Sequence, residues 1–335
     1  MATVKPNRNP TLADVVTRLD AKGNLADISE VLSQTNEMLD DITFMECNQK
    51  HSHITTVRSG LPEVTWRKLN YGVQPSKSQT KQVTDTCGMC EAYAVVDTKL
   101  VELNGKRESW RASENTAFIE AMNQEVQKAL FYADSSVDPQ KFMGLAPRFN
   151  TTDPKVPNSV NVIDCKGTGN NLTSIWVVVW GPHTVHCLYP EGSQAGLKEE
   201  DLGKGIETDP DGGKYQVYQT HYEWDLGLTV RDWRYVVRIA NIDVTKLKAR
   251  PVEKDLNLID TLVDALEKIP NLSAGRAAIY CNKTIRALLR KQIRYADNVN
   301  ITMDEVAGKP VVKFDGVPVR RCDALTCEEK QVTAA

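Results

Sequence analysis

The sequence predicts a mixed α+β fold, and three stretches carry that expectation. Residues 174–180 read Ser-Ile-Trp-Val-Val-Val-Trp and stop at Gly181-Pro182, which is the pattern of a strand buried on both faces. Ala117, Phe118, Ala121, Met122, Val126, Ala129, Leu130 and Ala133 recur three and four positions apart, the period of an amphipathic helix. Further on, two helical stretches at 256–268 and 282–294 enclose a short strand at 277–280.

The bulk properties narrow the class. A chain of 335 residues can hold one large domain or two to three smaller ones with their own cores. A formal net charge of −3 excludes a binder driven by bulk positive charge, while leaving room for local basic patches. No stretch approaches the ~18 consecutive apolar residues needed to cross a bilayer, so no membrane role is expected. Residues 1–10 are polar and basic, without the apolar core of a signal peptide. The eight cysteines therefore read as reduced thiols of a cytoplasm.

In chain order, residues 1–10 read as a flexible arm. Leu12, Val15, Val16 and Leu19 then mark a helix that Gly23-Asn24 ends. Leu25, Ile28, Val31, Leu32, Met38, Leu39 and Ile42 mark a second. Such helices have no globular unit of their own. Either the main core or a neighbouring subunit must cover them. Residues 53–58 and 63–69 flank Ser59-Gly60-Leu61-Pro62 and predict a hairpin. Both of its faces are wet, so it should project outward, with 70–86 as an extended loop. Residues 90–101 carry strand and helix signals alike.

The long helix spans 113–133, with Ser113 at its N-cap and Glu114 and Glu120 near the positive end of its dipole. About 20 residues make a rod of roughly 30 Å. Residues 149–172 are turn-rich, 185–189 form a strand, and 190–213 read as a long loop closed by Asp209-Pro210-Asp211-Gly212-Gly213. One long strand is expected over 229–242. Trp233, Tyr235, Val237 and Ile239 share one of its faces, and Asp232, Arg234 and Arg238 share the other. Short strands at 311–314 and 317–319 flank Asp315-Gly316, and 328–335 read as a loose tail.

Little of this carries catalytic chemistry. Cys87-Gly88-Met89-Cys90 could be half a zinc site or a redox pair. Zinc needs further ligands, and the nearest candidates are Cys322 with Cys327, or His51 with His53. Buried structural thiols are the favoured reading. His183 and His186 lie three apart on a strand and so diverge. Asp209, Asp211 and Gly212 lack the later ligands of a calcium loop, and Gly167-Thr168-Gly169 lacks the end of a phosphate loop. With five histidines and no nucleophile or zinc motif, the chain is not expected to be an enzyme or to need a cofactor. The competing readings are a cytoplasmic zinc or thiol-dependent enzyme centred on Cys87 and Cys90, and a nucleic-acid-binding module. The latter would use Arg286, Arg290 and Arg294, which line one helix face opposite Ile285, Leu288, Leu289 and Ile293.

The order of parts, together with particular segments, carries a resemblance. The segments are 26–32 with 36–41, 56–62 through Trp66-Arg67, 120–125, 144–148, 174–181 and 231–239. Together they resemble the Hong Kong 97 capsid fold of tailed phages, and are similar to the major capsid proteins of epsilon15-like short-tailed phages over about residues 11–325. The resemblance implies an N-terminal arm at 1–50, an E-loop at 51–86 and a P-domain at 87–160 with its spine helix at 113–133. It further implies a first A-domain part at 161–228, a P-domain strand at 229–245, and the rest of the A-domain with the C-terminal strands at 246–335.

The implied function is self-assembly into hexamers and pentamers of an icosahedral head enclosing double-stranded DNA, which the inner face holds without sequence specificity. The subunit would be made in the host cytoplasm and reside in the virion. A separate scaffolding protein, a portal and, where present, a decoration protein would be its other partners. Arg58, Trp66, Arg67, Lys68, Lys77, Arg286, Arg290 and Arg294 would make inter-subunit contacts. The fold's namesake starts with a cleaved internal scaffolding region and cross-links its subunits covalently. Here the arm starts almost at once. Lys68 and Lys77 have no identifiable cross-linking partners, so non-covalent locking is expected.

Overall fold

The computed structural model describes residues 37–102, 107–209, 211–248, 257–295, 301–306 and 309–334, of which 107–110, 248, 291–295, 301–306 and 309–311 are described by backbone alone. The strands are β1 (Phe44–Glu46), β2 (Ser52–Gly60), β3 (Gln79–Asp97), β4 (Val162–Asp164), β5 (Leu172–Trp180), β6 (Val185–Tyr189) and β7 (Lys198–Thr208). They continue with β8 (Lys214–Val230), β9 (Val236–Asp243), β10 (Arg276–Cys281), β11 (Ile301–Val306), β12 (Lys309–Phe314) and β13 (Val317–Arg321). The main helices are Arg107–Tyr132, Leu258–Glu267 and Lys283–Tyr295. The chain divides into two compact units. The smaller includes Met89–Val126 and Gly196–Asp225, and the larger comprises Thr35–Gly88, Gln127–Ala195 and Leu226–Ala335.

The larger unit is built around β5, whose nine residues are all buried. It lies between β9 and β10, antiparallel to both. β4 flanks β9, and β13, β12 and β11 follow beyond β10. A strand with partners on both edges and layers on both faces has no polar side, which is why its sequence does not alternate. Ile175, Val177 and Val179 share a core with Leu258, Leu262 and Leu266 of one helix and Ile285 and Leu289 of another. Asn257 and Asn282 start those helices by accepting from the Ile259 and Ile285 N–H groups at 3.2 and 2.8 Å.

On the other face Trp176 meets Phe131 and Phe149, with ring centroids 6.1 and 6.2 Å away. Trp180 Nε1–H donates to the Tyr280 hydroxyl at 2.8 Å. Each of these two fully buried indoles contributes about 4–6 kcal/mol of transfer free energy.

In the smaller unit β7 and the first part of β8 form a long hairpin. Its turn is closed by Asp209, whose N–H donates to the Gly213 carbonyl at 2.8 Å. Tyr218, Thr220, Tyr222 and Trp224 of β8 are buried in alternation with less buried neighbours, the period of a sheet with one covered face. Phe118 of the long helix stacks on Tyr222 at 5.8 Å. Arg111 makes a two-pronged pair with Asp201 at 2.7 and 3.0 Å.

Three expectations change. The region read as a loop over 190–213 contains β7. That strand is exposed along most of its length and carries Glu199, Glu200 and Asp201, so no apolar alternation marks it. The single strand over 229–242 is two strands. Asp232 caps an intervening turn of 3₁₀ helix by accepting from the Arg234 N–H at 3.1 Å, and β9 starts only at Val236. The face assignment within β9 holds, with Val237 and Ile239 in the core and Arg238 opposite.

The described part of the tail, 328–334, is strapped down rather than loose. The Glu329 N–H donates to the Leu172 carbonyl at 3.0 Å. Val332 is buried, and its N–H and carbonyl are both bonded by the Asn241 side chain, at 2.8 and 2.7 Å. Asn241 itself sits in the left-handed region at φ 58°, a conformation that asparagine tolerates best among ordinary residues. Glu328 and Lys330 are exposed, and Glu329 between them looks equally solvent-facing in sequence because its burial depends on a distant arginine, Arg238.

Candidate assembly surfaces

β2 pairs antiparallel with the first part of β3, from Ser52↔Thr86 to Gly60↔Gln79. The second strand of the expected hairpin is therefore 79–86, and 63–69 is not a strand. Residues 61–78 form a long tip with no regular structure. It is tied internally by the Ser76 hydroxyl donating to the Glu63 carbonyl at 2.7 Å, and Asn70 turns it at φ 66°.

Leu61, Val64, Trp66, Leu69 and Tyr71 all stand in solvent here, with Trp66 at 102% and Leu69 at 84% of full exposure. Isolated exposed apolar residues are common, but five on one tip make it a candidate contact surface. Arg67, Lys68 and Lys77 lie on the same tip and Arg58 on β2, all exposed. Among the described residues none of these four makes an ion pair. A cleft of about 650 Å³ lies at the root, lined by residues 55–61, His183 and residues 231–234. The arginines Arg58, Arg231 and Arg234 outnumber its one carboxylate, Asp232.

Below the tip the hairpin is anchored firmly. Asp85 is buried and accepts from Arg148 Nη2 at 2.8 Å and from the Thr229 hydroxyl. Arg148 also donates to the Met143 and Leu228 carbonyls at 3.2 and 3.0 Å. Beside this knot the His53 and His186 rings meet edge to face at 5.8 Å. Burial, helped by the positive charge of Arg231, lowers the pKa of both, that of His186 to about 4.

Residues 37–47, the described part of the expected arm, depart from expectation. Where the end of the second amphipathic helix was expected, Glu37–Asp40 is one turn of 3₁₀ helix, and Met38 and Ile42 are buried in their own chain. Asp41 holds the segment. It accepts from Arg320 at 2.8 and 3.0 Å and from the Tyr280 hydroxyl at 3.1 Å. Burial together with the Asp41 charge raises the Tyr280 pKa. The helix expected at 12–19, and the second helix as far as residue 36, lie outside the described residues.

The arginine face is likewise divided. Arg286 pairs with Glu37 at 3.4 Å, and Arg290 is exposed. The Arg294 side chain is outside the described residues. Asp41, Asp85 and Arg148 were not singled out by sequence reading. Asp41 and Arg148 lay in recognised segments, 36–41 and 144–148, and Asp85 did not.

Cys87 and Cys90 both lie on β3, three positions apart and so on opposite faces. The Cys87 sulfur sits 3.4 Å from that of Cys47. Among the described residues no group of three or more His, Cys, Asp or Glu side chains is placed to hold a metal ion.

Comparisons with known proteins point one way. A family model described as "Major capsid protein GP7" matches residues 20–333. No curated protein sequence matches. Among solved structures, a near-atomic electron cryo-microscopy structure of bacteriophage epsilon15 aligns with 37% identity over 100% of both chains and a TM-score of 0.78. The capsid of bacteriophage JBD30 aligns with 12% identity over 88% of this chain and 93% of the other, with a TM-score of 0.47.

Proposed function

The chain belongs to the GP7 family of major capsid proteins, and from that premise we propose how one subunit holds the next. It forms the head of a phage, with the Hong Kong 97-type fold, and its role in the virion capsid is structural. The tip at 61–78 lies over an adjacent subunit, where Leu61, Val64, Trp66, Leu69 and Tyr71 lose their contact with water. Exposure of these five side chains on one loop is the observation that carries the reading. Arg58, Arg67, Lys68 and Lys77 supply the polar rim and set orientation. Arg290 and Arg294 serve at a further contact, and Arg286 also fastens the arm through Glu37.

The division proposed is arm 1–50, E-loop 51–86, P-domain 87–160 with 229–245, and A-domain 161–228 with 246–335. The hairpin rooted at Asp85 and the helix Arg107–Tyr132 support its E-loop and P-domain parts. Subunits join as hexamers and pentamers, assembled in the host cytoplasm around a separate scaffolding protein and a portal, with a decoration protein where one is present. The shell holds double-stranded DNA on its inner face without reading sequence. Contacts are non-covalent and gain strength because closed symmetry repeats each one.

The test is the pair of substitutions Trp66→Ala and Leu69→Ala. Truncating a buried aromatic anchor costs about 2 kcal/mol or more per contact. Negative-stain microscopy should show few closed particles while the subunit's circular dichroism and thermal midpoint stay at the parent values. Closed particles at parental yield would overturn the proposal.

A further inference from the structure

One juxtaposition belongs to none of these contacts and does not depend on them. Cys47 and Cys87 lie forty positions apart, with their sulfurs at 3.4 Å. The whole E-loop, β2 and its tip included, lies between them in sequence.

The fold brings them together by bonds on both sides. The Cys47 N–H donates to the Tyr189 carbonyl at 2.9 Å, and the Cys87 N–H donates to the His51 carbonyl at 3.0 Å. The Glu191 N–H reaches the Lys50 carbonyl at 3.2 Å, so the chain between them is fixed against the end of β6. Gly227 leaves the space that the Cys87 sulfur fills, since a Cβ there would stand 3.0 Å from it. The two thiols differ in access. Cys87 is half-buried, whereas Cys47 is buried. Burial also raises the Cys47 pKa, against the opposing pull of its contact with Cys87.

We propose that Cys47 and Cys87 are a disulfide-forming pair that closes the root of the E-loop when the subunit meets a low-molecular-weight disulfide. The Cys87 thiolate attacks one sulfur of oxidised glutathione, forming a mixed disulfide and expelling one glutathione thiolate. Cys47 then gives up its proton to solvent and attacks the Cys87 sulfur, expelling the second glutathione. Two protein thiols are oxidised by two electrons, and one glutathione disulfide is reduced to two thiols. The buried resolving thiol makes the second step faster as pH rises. The link is internal to one chain. It fixes the place where the loop leaves the body and creates no bond between subunits.

The experiment treats the folded, full-length chain with oxidised glutathione at mildly alkaline pH, caps remaining thiols, and digests it without reductant. Trypsin cuts after Lys50 and Lys81, which separates Cys47 from Cys87. Cys87 and Cys90 share a peptide, so the assay is run in parallel on Cys90→Ser. The expected product is a Cys47–Cys87 linked peptide pair, lighter by two hydrogens than its parts and released by dithiothreitol, in both chains. Cys47→Ser should stop at glutathione on Cys87, and Gly227→Ala should cut the yield of the link several-fold. Capped Cys47 and Cys87 after oxidation, linkage of Cys87 to Cys90 or Cys187 instead, or a link that forms only in urea would each overturn the proposal.

Discussion

Removing Glu329 tests the claim that the C-terminal segment is part of the core. The Arg238 and Glu329 side chains are each only 5% exposed and meet at 2.8 Å. Arg238 also donates to the Phe149 carbonyl at 2.8 Å and to Ser174 Oγ at 3.1 Å, and lies over the Trp176 ring at 5.0 Å. Glu329 accepts in addition from the Tyr132 hydroxyl at 2.6 Å. Burial, joined by the charge of this carboxylate, raises the Tyr132 pKa. Glu329→Ala leaves a guanidinium without its counter-charge in a dry site, which costs about 3–5 kcal/mol. At about 2.1 cal/mol/K of unfolding entropy per residue, that loss lowers the midpoint by roughly 5 °C. Calorimetry of the unassembled, full-length chain reads it directly. Replacing both charges by apolar side chains, Arg238→Met with Glu329→Leu, should restore at least half of the lost stability, because neither buried charge then remains. A midpoint for Glu329→Ala within ~1 °C of the parent, or a double variant as unstable as the two single losses added together, would refute the reasoning.

Acid should act through His186. Its pKa is about 4 in the fold against an ordinary 6.5, so the unfolded chain takes up the proton first. The stability from keeping it neutral is fully present above about pH 6.5 and is lost as pH falls toward about 4, by about 3 kcal/mol at most. Urea midpoints at several pH values should therefore fall less steeply in His186→Phe than in the parent. Asp85→Ala should cost about 3 kcal/mol by stranding Arg148, and limited proteolysis should then cut near the hairpin root before the rest of the chain. Gly275→Ala should cost about 1–3 kcal/mol in chemical denaturation, since a Cβ there would stand 2.2 Å from the Trp180 carbonyl oxygen.

Much of the fold could be read from residues because its signals were local. β5 announced itself by an unbroken apolar run, and the helices Leu258–Glu267 and Lys283–Tyr295 by their period. The long helix was expected to begin at Ser113 and begins at Arg107, since its first turns carry no apolar stripe. What escaped was whatever depends on partners far along the chain. β7 is held by its pairing with β8 and not by its own composition. The return strand of the hairpin was misplaced because 63–69 has strand-forming residues and lacks a neighbour to bond. Of the surface elements, Trp66 and the basic residues around it could be named in advance. Asp41, Asp85 and Glu329 could not, because an acidic residue that will be buried looks the same in sequence as one that stays wet.

The oily tip at 61–78 has a consequence for the life of a newly made subunit. On the proposed contact, an indole and its apolar neighbours sit bare in water until a sister copy arrives, and any similar surface nearby will serve to hide them. The fate of each molecule is then a race between capture in the right geometry and clumping in the wrong one. Yield in the cell is accordingly governed by the balance of supply and consumption, and making the fold itself sturdier would not change the outcome of that race.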